Sequence, residues 1–295
     1  MKNSQRLALL FLLPSFLFVA VFSLFPIIES FRLSFYRMIL TLPWLGQRMV
    51  GWENYGDLLT DPVALASLRT TLVFIGITIP LELLFGLGIA LVLNEGFRGR
   101  GLLRAVVLIP WAIPTVVASQ MWRFIFNDRY GLVNFMLFGG DTSRYSAPLA
   151  DPYLALIAIM IAEIWKTTPF AALIILAGLQ SIPDDLYEAA SVDGATGWQK
   201  FRHVTLPLLK PALLLALLFR TIDSLRVFDL VYVMTQGGPA DATNVLQFYG
   251  YKKTFGEGMI GYGSAVAVTV FLMAVVLALA YLRAFKAGRE QGQAS

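Results

Sequence analysis

Two apolar stretches of this 295-residue chain carry charged residues at helical spacing. The first, about 153–179, holds Glu163, Lys166, Thr167 and Phe170 at i, i+3, i+4 and i+7, with Pro169 freeing a backbone carbonyl beside them. The second, about 208–234, holds Arg220, Asp223, Ser224 and Val227 on one face at the same spacing, with Arg226 and Asp229 on another side. Charge at bilayer depth is expensive unless it faces a cavity or another charge, so each of these is a candidate functional group. A stripe that mixes charge, hydroxyl and ring suits a sugar. Its hydroxyls form bidentate hydrogen bonds with charged groups, and its C–H faces stack on aromatic rings. The bland alternative is pairing across helices, for example Lys166 with Asp223, that fixes packing. A cavity lined by such pairs would satisfy both readings. Glu82, Gln120 and Arg123 are lesser candidates, and Glu82, directly after Pro80-Leu81, could simply mark a helix irregularity.

The elements that must position these stripes are set by composition. The chain is 57% hydrophobic and 14% charged, with mean hydropathy +0.69, whereas a soluble domain is nearer a quarter charged. Its solvent must therefore be lipid. About 20 apolar residues cross a bilayer core, and six stretches qualify, at about 7–28, 71–93, 104–126, 153–179, 208–234 and 264–285. The first is too long for a signal peptide and has no small-x-small cleavage site, so it reads as an uncleaved helix. One all-α membrane domain over 1–295 accounts for the chain. Lys2, Arg6, Arg98, Arg100, Arg104, Lys200, Arg202, Lys210, Arg283, Lys286 and Arg289 fall on one side of such a six-span bundle. The excess of basic residues there predicts that both termini and the 181–207 loop are cytoplasmic. Opposing loops hold Arg37, Arg48, Arg129, Arg144, Lys252 and Lys253, but they are longer and mixed with acids.

That 181–207 loop, wedged between the two striped stretches, is far longer than a connection needs. Ser181 with Asp184, and Thr196 with Gln199, fit the capping-box spacing, and Asp193-Gly194 reads as a helix stop. The pattern predicts a short helix, a tight turn and a second short helix, with Pro207 and Pro211 marking entry to the next span. Such a device on a membrane face is for docking.

Much chemistry is excluded. The chain has no cysteine and a single histidine, His203, so thiolate chemistry and a multi-histidine metal site are absent. No run of Lys or Arg resembles a nucleic-acid footprint. No phosphate loop, H-E-x-x-H or G-x-S-x-G elbow occurs, so if ATP powers the protein, ATP and its Mg are bound by another polypeptide. Rival readings are an ion-driven secondary transporter with Glu163 and Asp223 as proton carriers, and a membrane scaffold without transport.

Glu188-Ala189-Ala190, then Asp193-Gly194-Ala195, Phe201 and Leu206-Pro207, resemble the EAA loop of ABC-importer permeases. The segments IWKTTPFAALIILAGLQSIPDDLYEAASVDGA, RVFDLVYVMTQGGP and GYGSA are similar to carbohydrate permeases of the maltose/trehalose and glycerol-phosphate group. EIWKTTPF and LLFRTIDSLRVFD most resemble the first permease of trehalose/maltose importers. The resemblance spans about residues 5–285. It implies a sugar permease of a bacterial or archaeal cytoplasmic membrane. Its implied partners are a second, homologous permease, two cytoplasmic ATPase subunits and an extracytoplasmic sugar-binding protein. Glycerol phosphate or another glycoside remains open as cargo. It further implies that Leu186, Tyr187, Glu188, Ala189, Ala190, Asp193, Gly194 and Ala195 dock on the ATPase. It also implies that Lys166, Thr167, Phe170, Arg220, Asp223, Ser224 and Val227, members of the two intramembrane stripes, hold the family's sugar-contacting positions. Some relatives carry Asn and aromatic residues where this chain has Arg220 and Asp223, so the contacting chemistry must differ.

Overall fold

The computed structural model describes the backbone over residues 2–293 and side chains at Leu7 and over 11–283. The side chains of Lys2, Arg6, Lys286 and Arg289, which entered the orientation argument, lie outside the described residues. Among the described residues the chain is all-α but for a two-residue antiparallel pairing, β1 (Tyr36–Arg37) with β2 (Arg48–Met49), and a single bridge between Ile39 and Met259. Helices run α1 Lys2–Val19, α2 Phe25–Ser34, α3 Glu53–Thr60, α4 Pro62–Asn94, α5 Arg100–Ala112, α6 Thr115–Ile125 and α7 Leu132–Phe138. They continue as α8 Pro152–Leu179, α9 Asp184–Val192, α10 Gly197–Lys200, α11 Leu206–Leu225, α12 Asp229–Met234, α13 Leu246–Tyr251 and α14 Ile260–Gln293. Among the described residues five helical segments are long and apolar enough to cross a membrane, and a sixth span exists if α5 and α6, bent by 89° at their junction, count as one.

The chain divides into two compact units, residues 1–65 with 249–272 and residues 66–248 with 273–295. In the first, Asn54 closes the turn after α2 by donating its Nδ2 to the carbonyls of Ser34 (2.7 Å) and Tyr36 (3.0 Å). The Asp61 carboxylate accepts from both Tyr249 and Tyr262. Burial opposes ionisation of Asp61, but the Tyr249 hydroxyl and the amides of Val63 and Ala64 outweigh it and hold the carboxyl below its usual range.

The second unit is built on α4, α8 and α11. Their shared core holds Ala90 and Leu93 of α4, Ile175, Leu176 and Leu179 of α8, and Leu209 and Ala216 of α11. Lipid tails are as apolar as leucine, so close packing at small residues must hold such helices together. Gly86 lies close against Ala171 and Ala172, where a Cβ would be tight at 3.1–3.2 Å, and Gly178 faces Ala212 and Leu209 without room for a further methyl.

The 181–207 loop departs in part from its sequence pattern. Thr196 and Gln199 form a reciprocal capping box, but Ser181 turns back to the Gly178 carbonyl at 2.7 Å, and α9 starts at Asp184 without a side-chain cap. Helix α9 ends in a Schellman motif: Ala195 N–H donates to Ala190 O (2.9 Å) and Gly194 N–H to Ser191 O (3.1 Å), with Gly194 at φ +78°. The second short helix is not separate. α10 runs through a widened turn at Phe201–Thr205 straight into α11. Pro207 lacks an N–H and its ring would crowd the carbonyl four residues back, and the widened turn relieves both. A Gly194→Val substitution forces a β-branched residue into the left-handed region, at a cost of about 1–2 kcal/mol. Amide hydrogen exchange over 184–196 should then quicken by about tenfold; unchanged exchange would show that the motif does not hold α9.

Candidate functional site: a cavity between broken helices

The charged stripes meet in the second unit at a cavity of about 680 Å³. Two helix breaks wall it. At the first, α5 stops at Ala112, Ile113 is extended (ψ 131°) before Pro114, and α6 restarts at Thr115. Proline disfavours a helical residue before it, so the sequence WAIP dictates the break. At the second, α11 ends at Leu225 and α12 begins at Asp229. The stretch expected as one span over 208–234 is therefore discontinuous. Helix α8 supplies the remaining wall. Irregular backbone at membrane depth is tolerated where it is buried in protein or lines a cavity.

Of the eight residues put forward from the stripes, Glu163, Lys166, Thr167, Arg220, Asp223 and Val227 line this cavity. Phe170 and Ser224 do not. Phe170 stacks on Trp111 (5.7 Å between ring centres) and meets Phe219 edge-on (6.2 Å). Ser224 is buried and accepts from Arg220 at 3.3 Å. The lining also includes Trp111, Ile113, Pro114 and Thr115 at the first break, and Arg226, Phe228 and Asp229 at the second. Sequence reasoning set Arg226 and Asp229 on another side because it continued α11 as a straight helix. For the first break, the prolines at 110 and 114 were an available signal.

The charges fall into two kinds. Arg220, 3% exposed, is wholly engaged: Nε donates to Glu82 Oε2 (2.6 Å), and Nη2 to Glu163 Oε1 (2.7 Å) and Glu82 Oε1 (3.3 Å). Lys166 is buried too, and its Nζ donates to the carbonyls of Ile113 (2.7 Å) and Trp111 (3.4 Å). It caps the C-terminus of α5, where carbonyls lack intrahelical donors and the helix dipole favours a cation. The expected kind of partner for Lys166, Asp223, instead accepts from Arg226 at 3.3 Å and from Arg220 Nη1 at 3.5 Å. Asp223 and Arg226 are open, with side chains 50% and 61% exposed, and Asp229 is exposed beside them. Together the lining residues hold three carboxylates and three cations and are formally neutral.

In the 181–207 loop, Leu186, Glu188, Ala189, Asp193 and Gly194 are exposed, and Ala190 and Ala195 are half-buried. Tyr187 turns inward, its hydroxyl 3.1 Å from Thr205 Oγ1, and ties α9 to the start of the next helix. Sequence reasoning passed over Trp198, which is exposed and stacked on Phe201 at 5.5 Å.

Residues 82–286 match the family of binding-protein-dependent transport system inner membrane components. The chain belongs to this family. The permease is 42% identical to the trehalose/maltose transport system permease protein MalF of Thermococcus litoralis, over 95% of this chain and 94% of that one. It is 39% identical to the sulfoquinovosyl glycerol transport system permease protein SmoG of Agrobacterium fabrum, over 95% and 91%. Among solved structures, the permease fold matches a bacterial ABC transporter that imports the acidic polysaccharide alginate, with TM-score 0.80 and 24% identity over 97% of both chains.

Proposed function

We propose that this permease passes a neutral disaccharide, such as trehalose or maltose, across the cytoplasmic membrane as one subunit of an ATP-powered importer. The reading rests on the cavity. Its open charged groups are Asp223, Arg226 and Asp229; the one cation among them, Arg226, is paired with Asp223, and Lys166 and Arg220 are already engaged by backbone and carboxylates. A sugar hydroxyl both donates and accepts, which matches such a pair, whereas an anionic sugar would need an unengaged cation. The likeness to the Thermococcus relative supports the same cargo class.

The whole chain then acts as one unit, with both termini and the 181–207 loop in the cytoplasm. Exposed Leu186, Val192 and Trp198 give that loop an apolar face for a separate ATPase subunit, which binds ATP and Mg. Two such ATPases, a second permease closing the open side of the cavity, and an extracytoplasmic binding protein complete the importer.

The test is uptake by the reconstituted importer, with its binding protein, in vesicles loaded with ATP. Trehalose or maltose should enter, uptake should persist when the proton gradient is collapsed, and glycerol phosphate should neither enter nor compete. Asp223→Asn should raise half-saturating sugar by about tenfold, the effect of losing one charged hydrogen bond, with all subunits still co-purifying. Uptake that dies with the proton gradient, or that prefers glycerol phosphate, overturns the reading.

A further inference from the structure

Glu82 lies on α4, is fully buried and does not line the cavity, yet it takes the guanidinium of Arg220 in a bidentate grip. The same guanidinium takes Glu163 on α8. One cation on α11 thereby joins three helices, and two of them, α8 and α11, are the helices that flank the 181–207 loop. We infer that the Glu82–Arg220–Glu163 bridge is the element that makes α4, α8 and α11 move as one body, so that motion of the loop reaches the cavity; Glu82 is a positioning residue for transport. The inference rests on the proposed importer reading.

The physical case is one of stiffness and place. Shifting one of these helices alone would part the buried Arg220 guanidinium from a buried carboxylate, so any low-energy motion carries all three. Close packing at Gly86 and Gly178 clamps the same helices further along. The helical ladder is interrupted elsewhere, at the two breaks, beyond which α6 and α12 pack on one another. Pull on the loop therefore displaces the Glu163 and Arg220 walls of the cavity relative to the walls formed by the breaks. A bridge serving packing alone would influence the amount of folded protein and leave transport per ATP untouched.

The experiment compares wild-type, Glu82→Gln and Glu82→Asp importers, reconstituted with their ATPases and binding protein, for half-saturating trehalose or maltose and for sugar carried per ATP hydrolysed. Glu82→Gln keeps Glu163 as partner of Arg220 and loosens only the tie to α4. Sugar carried per ATP should fall by about tenfold, the scale of a lost coupling between sites. Half-saturating sugar should change less than twofold, and Glu82→Asp should restore part of the coupling. Wild-type transport per ATP in folded Glu82→Gln, or a loss confined to half-saturating sugar, overturns the inference. If Glu82→Gln is too unstable to purify and Glu82→Asp is stable with wild-type coupling, the bridge serves stability only and the inference falls. Wild-type importer that hydrolyses no ATP in response to sugar instead overturns the function reading, so the two failures are separable.

Discussion

Arg220→Ala should lower the stability of the permease by about 3–5 kcal/mol and its thermal midpoint in detergent by on the order of 10 °C. The reason is not the lost attraction but what stays behind. Glu82, fully buried, and Glu163, on the cavity wall, would be left with no guanidinium between them, and Ser224 would lose its donor. Buried pairs often contribute little relative to apolar substitutes, yet breaking one by removing a single partner is strongly destabilising. That asymmetry supplies the control. The triple exchange Glu82→Gln, Glu163→Gln and Arg220→Met removes the charges together and should recover most of the lost stability, so that the triple variant melts above the Arg220→Ala single. Should Arg220→Ala melt like wild type, the bridge does not carry the stability assigned to it.

Gly178→Val should separate stability from transport in the opposite sense. A Cβ at 178 would press on Ala212 and come to 3.0 Å from Leu209 Cδ1, between α8 and α11 and one turn from the loop that joins them. The leucine end can rotate aside, but Ala212 has nothing to move except its helix. Overpacking of this kind costs about 1–3 kcal/mol, a modest fall in melting temperature. Transport should fall far more, because the wedge splays the helices that carry Glu163 and Arg220. Pairing Gly178→Ala with Ala212→Gly should restore uptake, with a coupling energy between the two changes of about 0.5–3 kcal/mol. Additive effects would mean that the two positions do not share one contact.

How much was legible in the sequence depended on range along the chain. The stripes of α8 and α11 were, because their signal is local: a charge in an apolar run and its neighbours at three and four residues share a face. The Schellman stop at Gly194 and the capping box at Thr196 were legible for the same reason. What Arg220 does was not. Its two buried carboxylate partners sit 138 and 57 residues away, and one sequence gives no signal for a pairing at that distance. Glu82 was set beside Pro80 as a mark of irregularity, whereas α4 runs unbroken past that proline and uses Glu82 as a partner. The role of Lys166 escaped because its acceptors are backbone carbonyls, which carry no residue identity. They become available only where α5 breaks.

The bridge also bears on how the protein is made. Glu82 leaves the ribosome 138 residues before Arg220, roughly 10 s at ordinary rates of synthesis. Glu163 follows, still ahead of its counter-charge. For that interval α4, and then α8, must be accommodated at the membrane with a carboxyl whose partner does not yet exist, at about 2.5–3.5 kcal/mol for such a group at the centre of an isolated helix. The bundle therefore cannot settle span by span in order of birth. Its early helices wait for α11, and a chain truncated before Arg220 should be recognised by the membrane's quality control as unfinished.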